Sequence, residues 1–152
     1  MALRSLIVVR PYREGIRKRV FALLAAAGVD VDNAVIIQKD SSDSTVIQTL
    51  RGTRPGVLLI PFHARLDESG NEVNGLDLCE RLEQSLPELS QVPIVMPASA
   101  AAVPALRLRM SWMSQRPVSD AVKKRLIVLE EELLDDEATK AALVSHLSAF
   151  PS

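Results

Sequence analysis

The sequence predicts an α/β fold in which helices cover both faces of a parallel β-sheet. Two observations carry this. First, short aliphatic runs at residues 6–9, 35–37, 57–60 and 92–96 read as strands buried on both faces. Second, the segments between them repeat apolar residues at helical spacing. Strand and helix therefore alternate five times, the pattern of right-handed crossovers. The aromatics are only Phe21, Phe62, Phe150, Tyr12 and Trp112, so the core must be aliphatic.

Each element has its own signal. Leu6-Ile7-Val8-Val9 is closed by Arg10-Pro11 and reads as the first strand, not as a cleaved leader. Ile16, Val20, Leu23, Leu24 and Ala27 mark a helix, with Gly28 as its C-cap. Val35-Ile36-Ile37 is strand two. Ser42 or Ser44 caps a helix carrying Val46, Ile47 and Leu50, which must stop before Pro55. Residues 57–60 are strand three. The polar stretch 64–75 is a loop or small hairpin. Leu78, Cys79, Leu82 and Leu86 mark the next helix, and residues 92–96 are strand four. Residues 98–109 hold a short helix with Pro104 in its first turn. Residues 110–114 read as strand five. A long helix capped by Ser119 or Asp120 then carries Val122, Leu126, Leu129 and Leu133, and residues 138–149 form a further helical piece. The organisation expected is one domain over residues 1–134 and a C-terminal helical extension over 135–152. The initial Met and the lack of a linker read as a complete small protein.

Composition and spacing exclude several function classes. A net charge of −1 does not suit a protein wrapped by nucleic acid, and no recognition helix or aromatic stacking surface is present. The basic residues Arg13, Arg17, Lys18 and Arg19 are spread around their helix. The single cysteine, Cys79, forms no internal disulfide and lies on an apolar helix face as a buried hydrophobe. His63 and His146 are far apart, so no metal site is expected. The turn after strand one, "RPYREG", lacks a phosphate-binding glycine pattern, and no GxSxG elbow occurs. No catalytic residue, cofactor or membrane span is expected, and the cell compartment expected is the cytoplasm.

With those classes removed, the chain resembles the receiver domain of bacterial two-component response regulators over residues 5–134. The stretches "GLDLCERLEQSLPELSQVPIVM" and "QRPVSDAVKKRL" carry the resemblance. It implies a doubly wound, flavodoxin-like five-stranded parallel sheet in the order 2-1-3-4-5. It also implies an acidic pair after strand one for Mg²⁺ and a phosphoaccepting aspartate after strand three. A hydroxyl after strand four, a lysine after strand five and a switch aromatic complete the set. Here the acidic-pair positions hold Arg10 and Pro11, and the acceptor position holds Pro61. The hydroxyl position holds Ala98, with Ser99 one residue on, and the lysine position holds Arg116. The switch position falls on Met113 beside Trp112, and Asp67 lies six residues past Pro61 in a longer loop. The resemblance thus implies a pseudo-receiver that Mg²⁺ and phosphoryl donors do not switch.

Two functional readings follow. The first is a non-catalytic signalling adaptor that acts through protein partners, a second copy of the chain among them. Its contact face would use Arg107, Arg109, Trp112, Met113, Leu126, Leu129 and Leu133. The second is a sensor of a small anion or nucleotide bound by Arg10, His63 and Arg116. The simpler reading of those cations is solvated charge, with Arg116 paired to Asp40 or to an acid of residues 67–72. The acidic run "LEEELLDDE" at 129–137 reads as a solvated helix face, a docking surface for a basic partner or a short leucine seam.

Overall fold

The structure is a computed structural model. It describes the chain except Met1, Ala2, Tyr12, Lys39, Ala64, Glu68, Trp112, Arg116 and Ser152, together with the side chain of Arg65. The strands are β1 (Arg4–Val9), β2 (Val29–Ile37), β3 (Val57–Leu59), β4 (Arg65–Leu66), β5 (Glu72–Val73), β6 (Ile94–Ala98) and β7 (Leu126–Glu130). The helices are α1 (Glu14–Ala26), α2 (Asp43–Leu50), α3 (Gly75–Ser85), α4 (Val103–Met110), α5 (Asp120–Arg125) and α6 (Glu137–Ser148). Five strands form one parallel sheet in the order β2-β1-β3-β6-β7, while β4 and β5 form a separate antiparallel hairpin. Counted along the sheet alone, this is the expected order 2-1-3-4-5.

Alternation along the strands divides the core in two. On one face Ile7, Val9, Leu58, Ile60, Ile94 and Met96 pack under α2, α3, α4 and α5. On the other Leu6, Val8, Val57, Leu59, Val95 and Leu129 pack under α1 and α6. Side chains close the helix starts. Ser42 accepts from Thr45 N–H at 3.1 Å on α2, and Ser119 accepts from Val122 N–H at 3.3 Å on α5. On α3, Asn74 and Asp77 satisfy each other's backbone N–H groups in a capping box.

The C-terminal third corrects the sequence reading. Residues 103–110 are helix, and the fifth strand of the sheet is Leu126–Glu130, not residues 110–114. Leu126, Leu129 and Leu133 satisfy a helical spacing, but Leu126-Ile127-Val128-Leu129 equally satisfies a strand buried on both faces. Pairing decides between them. Residues 94–98 of β6 lie in register with 126–130, and this satisfies a ladder edge that would otherwise be left open. Leu126 and Leu129 therefore enter opposite halves of the core and are not available as interface residues.

The helix expected as an extension beyond residue 134 packs on the sheet. Helix α6 buries Leu143 and Leu147 against the sheet. The Arg4 guanidinium of β1 donates to the carbonyls of Leu147 and Phe150 at 2.6 Å each, placing a cation at the C-terminus of α6. On the other face Arg125 is buried at 2 % exposure. It donates to Val92 O at 2.8 Å and to Glu83 Oε2 at 2.5 Å, tying α5 to α3.

The integral position of α6 sets an expected outcome. Leu143→Ala should cost about 2–5 kcal/mol of unfolding free energy, read from the urea midpoint, as for a fully buried leucine. A dispensable C-terminal extension would show almost no shift. Cys79 gives a second check. Burial pushes its thiol from 9.0 up to about 12, so the fold favours the protonated form. Its contribution to stability is fully present below about pH 9 and lost as pH rises towards about 12. In the folded protein at about pH 8, a disulfide reagent should label Cys79 only as fast as the chain opens.

Candidate functional site

In a doubly wound sheet, ligands bind outside the carboxyl ends of the strands. Here those ends are occupied largely by proline. Pro11 follows β1, Pro61 follows β3, and Pro97 lies within β6. The ladder runs past β3 on one side, because Ile60 and Phe62 donate to the carbonyls of Val95 and Pro97 at 2.9 Å each. Pro97 has no N–H to return. The three prolines line a cavity of about 20 Å³ with Val8, Ile16, Val20, Leu59, Arg13 and Arg17. That volume is of the order of one water molecule. Helix α3 closes in beside it. A Cβ on Gly75 would stand 2.4 Å from the Pro61 carbonyl oxygen, so only glycine allows this approach.

Arg10 is held with φ at +52°, the left-handed region that disfavours a side chain. Its backbone N–H donates to Ile37 O at 2.8 Å. Its guanidinium donates to Ser41 O at 2.8 Å and to Asp43 Oδ1 at 2.6 Å. Arg81 reaches the other oxygen of Asp43 at 3.2 Å. The charge of Arg10 is thus used to fasten the start of α2 to the end of β1. The expected anion site of Arg10, His63 and Arg116 falls partly outside the described residues. Arg10 points to Asp43, His63 is exposed on the segment after β3, and Arg116 lies outside the described residues. Among the described residues, no group of three or more His, Cys, Asp and Glu side chains gathers as metal ligands do.

At the end of the fifth strand the structure puts Glu130 and Glu131, while Arg116, expected at the lysine position, lies outside the described residues. Glu130 pairs with Arg107 of α4 at 3.2 Å. Glu131 is buried at 3 % exposure and lies 3.6 Å from Arg13 at the start of α1. The aliphatic run followed by "EEE" in the sequence was the signal for this residue. Ala98 is buried at the end of β6, and the Ser99 carbonyl accepts from Ala102 and Val103 in the turn to α4.

The expected contact face divides. Arg107 pairs with Glu130, and Arg109 pairs with Asp77 at 3.0 Å. Met113 is 71 % exposed, Leu133 is exposed, and Leu108 is an exposed apolar residue the sequence reading omitted. Trp112 lies outside the described residues. The hairpin β4–β5 lies in the longer loop after β3. Its turn is set by Asp67 Oδ1, which accepts from Ser69 and Asn71 N–H at 2.9 and 2.8 Å.

No protein-family model matches the chain, and no curated protein does. Solved structures do. A bacteriophytochrome response regulator aligns over 99 % of this chain and 81 % of its own, at 14 % identity and a TM-score of 0.56. A CheY-like receiver domain from Methylobacillus flagellatus aligns over 95 % of this chain and 99 % of its own, at 14 % identity and a TM-score of 0.53. NtrX from Brucella abortus aligns over 98 % of this chain at 16 % identity and a TM-score of 0.51, but this chain spans only 28 % of that protein. At such identities the likeness establishes the fold: a receiver-like, flavodoxin-like parallel sheet. No helix of the described residues is long and apolar enough to cross a membrane.

The strain and pairing of Arg10 predict an unusual order of stability. Arg10→Ala keeps the left-handed backbone and loses the pair, whereas Arg10→Gly loses the pair but relieves the strain. The glycine variant should therefore be the more stable of the two by roughly 1 kcal/mol in chemical denaturation. Equal stabilities would show that φ at this position carries no strain.

Proposed function

We propose that this protein is a non-catalytic signalling adaptor, a receiver-like scaffold that works through protein contacts and without aspartyl phosphorylation. One observation carries the reading: the pocket at the carboxyl ends of β1, β3 and β6 is small, lined by Pro11, Pro61, Pro97 and aliphatic residues, and its charged lining residues, Arg13 and Arg17, are cations and not carboxylates. Phosphoryl transfer to a side chain needs a nucleophile, and a hard cation needs several oxygen ligands. Prolines supply neither from their side chains. Arg10, directly after β1, is committed to Asp43. Retention of a complete five-stranded scaffold around such a pocket favours a role for its surface. The surface we assign to partner contact surrounds Leu108 and Met113, both exposed at the C-terminal end of α4. The partner is a protein; nucleic acid does not suit a chain of net charge −1.

The test is a titration with beryllofluoride and Mg²⁺ followed by amide NMR shifts. No saturable shift is expected at Ile60, Phe62 or Ser99. Saturable shifts confined to those residues would overturn the reading.

A further inference from the structure

A second surface lies on the opposite side of the sheet, where α1 meets the segment after β7. Two ion pairs cross this seam, Arg13 to Glu131 at 3.6 Å and Arg19 to Asp135 at 3.2 Å. Arg13 and Asp135 are nevertheless largely exposed. On the basic side Arg17, half-buried beside the proline-lined notch, makes no ion pair among the described residues. On the acidic side Glu132, Asp136 and Glu137 are exposed and likewise make none. Leu133, between the two crossing pairs, is an apolar side chain left 41 % exposed.

We propose that this seam is a self-complementary dimer interface, and that its occupant is a second copy of the chain. A basic strip lying beside an acidic one has a symmetry consequence. A two-fold axis through the seam lays the basic strip of each copy on the acidic strip of the other. The same rotation lays each Leu133, which belongs to the acidic strip, over α1 of the other copy, where it excludes water from the charges around it. A net charge of only −1 leaves little overall repulsion between copies. Helix α1 has 13 residues and is about 20 Å long, so the contact is small. A small, charge-rich contact makes a weak dimer sensitive to salt. The inference rests on the adaptor reading only in taking the scaffold to act through its surface, and the two tests fail independently.

The experiment is sedimentation velocity on the full chain up to about 300 µM, at about 50 mM and about 500 mM NaCl. A dimer is expected at low salt, with a dissociation constant at least about tenfold higher at high salt. Arg17→Glu and Glu132→Lys should each abolish it while far-UV circular dichroism and melting stay unchanged. Mixing these two variants should restore association, because every cross-contact is then between opposite charges. A monomer under all conditions would overturn the proposal. So would a dimer that persists in both single variants, or two variants that fail to associate when mixed.

Discussion

The continuous parallel ladder from β2 to β7 sets the position of every other part of this protein. Each central strand is paired on both sides and buried on both faces, so its backbone groups find partners only in its neighbours. Registers such as Leu58 with Ile94 and Ile94 with Leu126 then place all the strand ends along one edge of the sheet. The helices follow as covers for the two apolar faces. Arg4 and Arg125 fasten those covers through backbone carbonyls and add Glu83, which keeps two long cations useful where water is scarce.

The same ladder explains why prolines fit at the strand ends. A proline at position 61 costs the core little, because it stands where β3 leaves the sheet and its ring is apolar. Pro97 is tolerated inside β6 because its carbonyl still accepts from Phe62. Arg10, Asp43 and Arg81 form a local clasp, and Gly75 lets α3 close over the Pro61 carbonyl. Each of these residues contributes to packing at a place where the fold could equally have displayed reactive groups.

Much of this was legible from single residues. The aliphatic runs of β1, β3 and β6 are legible, as is the buried Cys79, while the caps Ser42 and Ser119 are legible only as one of two neighbours each, Ser42 or Ser44 and Ser119 or Asp120. The fifth strand was not legible. Leu126, Ile127, Val128 and Leu129 suit a buried strand and an amphipathic helix alike, and periodicity cannot separate them. That one ambiguity hides that the strand ends on Glu130, that Leu126 and Leu129 are core residues and that α6 packs on the sheet. Arg10 is legible as a cation after β1, but the direction of its guanidinium depends on Asp43, more than thirty residues away.

By itself the sequence determined the α/β class, the aliphatic core and the prolines at the strand ends, because these depend on residue type and short-range spacing. Tertiary structure alone decided that residues 126–130 are a strand, that Glu131 is buried beside Arg13, and that basic and acidic strips lie side by side. The physical reason is that these outcomes rest on hydrogen bonds and charges brought together from distant parts of the chain. A segment that satisfies two local patterns takes the one whose backbone finds a partner.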